Sequence, residues 1–276
     1  MKNYKSLLGI VAAVALAAAG CGDDATPPPG GTGGNGGTGG MPATGNVTAV
    51  HLAPEVPSAE DTAVALFVNG TEATALGTLE YSQSTGKIAL EVGTYDIGIG
   101  VSGDTDPLLS VDGVMVTEET DLVVVAYRTN AELPVNVFVF DNSTEGLEAG
   151  SGRVLVAHGA NDPALDPVNI SLGEDPDCQT LIPALAFEEQ VDGADALDLA
   201  EGTYKLGFDV TLDDESACAD VGPVDVPVTV DVVSILVAVD ENTSNDADQL
   251  NPELWAIIPD AAAPNNQPIR TIQPTP

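Results

Sequence analysis

Basic residues are scarce in this chain. Its 276 residues hold 7 Lys and Arg against 43 Asp and Glu, a formal charge of −36. Two of the seven, Lys2 and Lys5, lie in an N-terminal leader that contains no acid. Without it, five basic residues face the same 43 acids and the charge is −38. Phosphate recognition runs on clustered Lys and Arg, so nucleic-acid binding is excluded, and so is attachment through a polybasic surface. Histidine is nearly absent too, with His51 and His158 the only two. They lie in separate halves of the chain and cannot assemble the three or four ligands of a zinc site. No GxSxG, HExxH or CxxC string occurs. The one long apolar run, Leu7–Ala19, has 13 residues. A bilayer span needs roughly 20. Hydrophobic content of 43% still supplies a packed core.

The apolar run has the length of a signal-peptide core behind a short basic start. It ends in Ala18-Ala19-Gly20-Cys21, which resembles a bacterial lipobox. Residues 1–20 are therefore expected to be removed, leaving Cys21 acylated as the first mature residue and membrane anchor. The lipobox leucine expected three positions before the cysteine is Ala18, with Leu16 two residues earlier. Gly22, rather than Asp, follows Cys21, which by the enteric sorting rule implies the outer membrane or cell surface. Residues 21–45 read as a disordered Gly- and Pro-rich tether, whose only large apolar residue is Met41. Such a segment buries too little to offset its chain entropy and reaches roughly 25–30 Å.

The rest repeats itself. Gly93-Thr94-Tyr95 opens an alternating run that matches Gly202-Thr203-Tyr204, 109 residues on. His51 and His158 end similar runs, VTAVHLAP and VLVAHGAN, 107 residues apart. Leu122–Tyr127 (LVVVAY) matches Ser234–Val239 (SILVAV). Near-constant offsets imply tandem duplication. Period-two runs recur between turn signals, among them Val64–Val68 before Asn69-Gly70, Val135–Phe140, Val168–Leu172 and Leu254–Ile258. The fold class read from them is all-β: two tandem immunoglobulin-like or transthyretin-like β-sandwiches. The first is expected over residues 46–142 and the second over 152–259, joined by Ser143–Ser151, with residues 260–276 a disordered tail.

The paired V-x-x-x-H-x-A openings, the G-T-Y strands and the tandem order behind a lipobox resemble the bacterial domain-of-unknown-function 4397 family. The resemblance covers about residues 46–258. It implies exported, surface-attached, all-β domains with no established reaction or catalytic residues. His51 is followed by Leu52-Ala53-Pro54-Glu55, close to the family's H-x-S/A-P-D. The second opening departs further, with Gly159-Ala160-Asn161-Asp162, and the segment after it is expected to bend differently.

Four features carry candidate chemistry. Cys178 and Cys218 lie in acidic segments of the second half and are expected to form a disulfide in an exported protein. The bridge would close about 41 residues and contribute roughly 4 kcal/mol by chain entropy. His51 and His158, each at a strand end, are expected to hydrogen-bond loop backbone rather than serve catalysis. Gly98-Ile99-Gly100-Val101-Ser102-Gly103 fits G-x-G-x-x-G as a string. Its glycines fall within a strand and acid follows, so no nucleotide is expected; the small face should admit another backbone. Asp240, Asn242, Ser244, Asp246 and Asp248 set oxygens at alternating positions, the spacing that wraps calcium. The glycine of such a loop is replaced by Asn245 and its closing acid by Asn251. Three readings follow. The first is a non-enzymatic envelope module contacting polymer or protein, without cofactor. The second is a calcium-stabilised adhesion or matrix protein. The third, an extracellular hydrolase using an unseen carboxylate pair, has no motif behind it.

Overall fold

The first half of the body lays down nine strands in the computed structural model. These are β1 (Thr44–Leu52), β2 (Val64–Val68), β3 (Thr71–Glu72), β4 (Thr78–Leu79), β5 (Ser84–Glu91), β6 (Gly93–Gly100), β7 (Leu109–Val116), β8 (Asp121–Arg128) and β9 (Val135–Asp141). The second half follows with β10 (Ser151–Gly159), β11 (Val168–Glu174), β12 (Asp177–Leu185), β13 (Gln190–Val191), β14 (Leu197–Ala200), β15 (Gly202–Asp209), β16 (Val221–Val228), β17 (Val233–Asp240), β18 (Pro252–Ile257) and β19 (Thr271–Ile272). The structure describes residues 42–58, 61–129, 135–161, 165–174, 177–209, 221–240, 252–259 and 271–272. Among them there is no α-helix, only short 3-10 turns such as Thr74–Leu76 and Gly193–Asp195.

The two halves fold alike. In the first, β5-β1-β8-β9 form one sheet and β3-β2-β6-β7, with β4 also on β2, form another. In the second, β10, β17 and β18 pair in the same way, with β13 and β14 on the outer side of β10 and β19 on β18. Its other sheet runs β12-β11-β15-β16. The repeated sequence runs occupy equivalent strands: LVVVAY lies in β8, SILVAV in β17, and the two G-T-Y runs open β6 and β15. β1 pairs parallel with β8, and β10 parallel with β17. These four strands read as continuous apolar runs rather than alternating ones because both of their faces are covered. β17 is buried at every position.

Three hydrophobic clusters result. Val47, Ala49, Leu66, Ile97, Ile99, Val124 and Ala126 fill the sandwich of the first half. Val154, Val156, Ile170, Leu206, Phe208, Leu236 and Leu254 fill that of the second. The third lies between the halves: Val50, Leu52, Val123, Val125, Tyr127 and Phe140 meet Leu155, Ala157, Ile235, Val237, Trp255 and Ile257. The layers are therefore sheet on sheet four deep, and residues 41–276 form one compact unit.

Glycines sit where the duplicated fold has no room. An added Cβ at Gly45 would meet the Thr117 carbonyl oxygen and Val116 Cγ1. At the equivalent Gly152 it would meet the Thr229 carbonyl, with Val228 Cγ1 at 2.9 Å and the Val232 carbonyl at 3.0 Å. Backbone cannot step aside as a side chain does. Gly152→Ala is expected to cost roughly 1–3 kcal/mol, read as a lower urea midpoint at unchanged m-value. Gly98 and Gly100 admit the Pro107 segment as expected: a Cβ on Gly100 would lie 2.9 Å from Pro107 Cα.

The few cations of the body hold carboxylates. Lys87 pairs with Asp121 at 2.6 Å, Arg128 with Glu55 at 2.6 Å and Lys205 with Asp225 at 3.2 Å. Arg153 holds Asp198 through Nε (2.9 Å) and Nη2 (3.1 Å), while Nη1 donates to the carbonyls of Ser143 and Glu145. That one side chain ties the connecting segment to β10.

Candidate functional site

The histidines build the most elaborate polar features of the molecule. β1 and β10 carry His51 and His158 to one end of their sheets, where each ring turns toward its own sandwich core. His51 is 1% exposed and His158 0%. His51 Nε2 donates to the Thr62 carbonyl at 2.9 Å, and His158 Nε2 to the Leu165 carbonyl at 2.7 Å. A carbonyl only accepts, so Nε2 carries the proton in both rings. Among the described residues, neither buried Nδ1 has a hydrogen-bond partner within bonding geometry. Burial drives the His51 pKa down to about 4 against the weaker pull of its carbonyl bond. The same cause lowers that of His158. Both rings are neutral at pH 7 and pin the loop that follows their strand, as the sequence suggested.

Next to His51 the chain assembles a bridge between the halves. Tyr81, in the β4–β5 turn, stands edge-on to His51 with ring centroids 6.4 Å apart. It also stands edge-on to Trp255 of β18 at 5.9 Å. The Tyr81 hydroxyl donates to Glu253 Oε2 at 2.6 Å, and Trp255 Nε1 donates to the same oxygen at 3.1 Å. Glu253 is 8% exposed. The second half returns the gesture with different chemistry. Phe187 takes the place of Tyr81 beside His158, at 6.2 Å. Its neighbour Glu188 accepts from Asn136 of β9 at 3.4 Å, and Gln190 donates to the Val139 carbonyl at 2.9 Å. Asn136 and Glu253 hold equivalent positions, opposite Tyr127 and Val239. Each half thus reaches with the same turn to the same strand of the other, the signature of a pseudo-twofold contact.

Gly159 sits at the middle of that contact. An added Cβ would lie 2.8 Å from Tyr127 Cδ2 and 3.0 Å from Phe138 Cε2. Tyr127 and Phe138 stack at 4.2 Å with an interplanar angle of 11°. The first half has Leu52 at the position equivalent to Gly159. Burial, then the Glu188 charge, raises the Tyr127 pKa, so its hydroxyl stays protonated.

The loops after the two openings are fastened differently. Arg128 ends β8 and grips Glu55, whereas Asp240 ends β17 and its Oδ1 accepts the Asn161 N–H at 2.8 Å. Asp162 of the Gly159-Ala160-Asn161-Asp162 segment, for which a different bend was expected, lies outside the described residues. Asp240 is 1% exposed. Of the other candidate calcium residues, Asn242, Ser244, Asp246 and Asp248 lie outside the described residues, as do Cys21 and Cys218. Cys178 lies on exposed β12, opposite Gly173 of β11. No group of three His, Cys, Asp or Glu side chains among the described residues is placed to hold a metal ion. A shallow groove of about 520 Å³ opens beside β12, floored by Leu181, Ile182 and Val191 and rimmed by Glu189 and Asp195.

The arrangement is that of an all-β protein built from two repeats joined across a shared core. Residues 45–171 match the family described as Domain of unknown function (DUF4397). The match takes in the whole first repeat and ends within β11. No curated protein matches the chain.

Tyr81, Glu253, Gly159 and Tyr127 escaped the sequence reading. Only Gly159 left a signal there, as the mismatch with Leu52 in otherwise parallel openings.

Proposed function

We propose that the protein is a lipid-anchored component of a bacterial cell envelope, held at the outer membrane or cell surface by acylated Cys21. It acts as a non-enzymatic surface or binding module toward envelope polymer or protein. The leader carries this reading: a short apolar run ends at a cysteine, and a Gly-rich stretch separates that cysteine from a body that begins at β1. The polar groups of the body support the non-enzymatic part. Both histidines are neutral, buried and engaged by loop carbonyls, and the Glu253 oxygen that faces Tyr81 and Trp255 accepts from both. The test is the mass of the N-terminal peptide from the membrane fraction of cells expressing the full chain. A tryptic peptide beginning at Cys21 with added acyl mass is expected, and Cys21→Ala is expected to release the body from membranes. A chain that retains residues 1–20 without lipid would end the proposal.

Cys178 and Cys218 form a disulfide in this reading. Cys178 lies on β12, two strands from β15 in the sheet, and eight residues lie between Asp209 at the end of β15 and Cys218. That stretch spans up to about 30 Å, ample for the approach. Non-reducing mass spectrometry of exported protein is expected to show one intramolecular bridge; two alkylatable thiols would refute it.

A calcium-stabilised matrix or adhesion protein is the second reading, resting on the alternating oxygens that begin at Asp240. Under it, Tm rises between chelator and millimolar calcium, and Asp246→Ala abolishes the rise. An unchanged Tm removes it.

A further inference from the structure

We propose that β1 is a force-resisting strand, arranged to withstand a pull that arrives through the tether. The register gives the geometry. Thr44 pairs with Glu91, Asn46 with Asp121 and Leu122 with Asp141, so the chain enters the body at the near end of the sheet. Leu52 pairs with Tyr127 and Arg128 with Val135 at the far end. In the second half, Arg153 with Val233 and Ile235 with Ile257 mark the near end, and Asp240 with Pro252 the far end. The halves are set the same way round. Arg153 touches the connecting segment at the near end, while Tyr81–Glu253 and Asn136–Glu188 meet at the far end.

β1 is not an edge strand. It pairs with β5 at six positions and with β8, in parallel, at seven. Residues 47–52 are all buried. A pull on Thr44 directed away from the far end runs along β1, across the perpendicular ladder bonds to antiparallel β5 and the slanted ones to parallel β8. The bonds on both sides are then sheared together. A pull across the sheet would open them one at a time. Thr44 enters the body at the near end, so only a load held at the far end produces shear. The far end is where the histidine-pinned loops lie. The physiological use of this strand rests on the anchoring reading; its mechanics do not.

Optical-trap unfolding of the full chain tests it. Azide-bearing residues replacing Thr38 and Glu188 attach handles in the tether and at the far end; a second pair replaces Thr38 and Glu148, the latter exposed in the connecting segment at the near end. Because forced unfolding is governed by the barrier crossed, the two geometries separate on one folded protein. The expected rupture force through position 188 is at least double that through position 148. Equal or lower force through position 188 overturns the proposal. An unacylated Cys21 alongside the expected contrast would remove the anchoring reading and leave the force-resisting strand standing.

Discussion

Ile235→Ala is expected to destabilise both halves together, by about 2–5 kcal/mol. Ile235 belongs to β17 of the second half, is 0% exposed and packs in the cluster that the two halves share. Removing three carbons there leaves a cavity between backbones that cannot close it, because sheets stacked about 10 Å apart are held by their own ladders. Independent sandwiches would confine the damage to the second half. A shared core transmits it. Hydrogen exchange in β6, which belongs to the first half and to a sheet remote from Ile235, is the discriminating measurement. Its amides are expected to lose protection in step with those of β15, within one cooperative unfolding transition. Unchanged exchange in β6 beside faster exchange in β15 would show two separate folding units. Gly159→Leu strikes the same contact from the opposite direction: its side chain would displace the stacked Tyr127–Phe138 pair, for roughly 1–3 kcal/mol or more.

The second large effect is acid lability. The folded His51 pKa, about 4, lies below the 6.5 of an unperturbed imidazole. Between those values the unfolded chain takes up a proton that the folded chain refuses. Stability is therefore complete above about pH 6.5 and falls as pH drops toward 4, by about 3 kcal/mol for this residue. His158 adds a loss of the same sign, since its pKa is also lowered by burial. Acid also relieves the self-repulsion of a chain that carries 43 Asp and Glu, an effect of opposite sign. His51→Gln isolates the imidazole: its amide can still donate to the Thr62 carbonyl but does not titrate. Urea midpoints from pH 7 to pH 4.5 are expected to fall less steeply in the variant. Parallel curves would show that His51 does not govern the slope.

Much of this architecture was legible because strand periodicity and duplication are local signals. LVVVAY and SILVAV announce strands covered on both faces, and Asn69-Gly70, with φ of 51° and 70°, makes the hairpin its residues promise. β12 was not legible. Its first half is polar, Pro183 interrupts it, and Ala184 adopts φ 53°, so no alternation survives. The bridge of Tyr81, Glu253 and Trp255 was hidden for a different reason. Its partners stand 172 residues apart, and nothing in either neighbourhood hints at the other. The histidines fell between these cases. Their matched positions betrayed a common structural job, while the carbonyls they hold, at Thr62 and Leu165, come from loops of unlike sequence.

The pseudo-twofold pairing also sets a limit on growth. In a head-to-tail array each unit keeps a free surface for the next, and length can vary by single units. Here each copy turns its adhesive sheet to its sibling, and the union is closed. A third copy appended to this chain would find no vacant counterpart. Any longer descendant of this duplication should therefore carry its copies in even numbers, as beads of two.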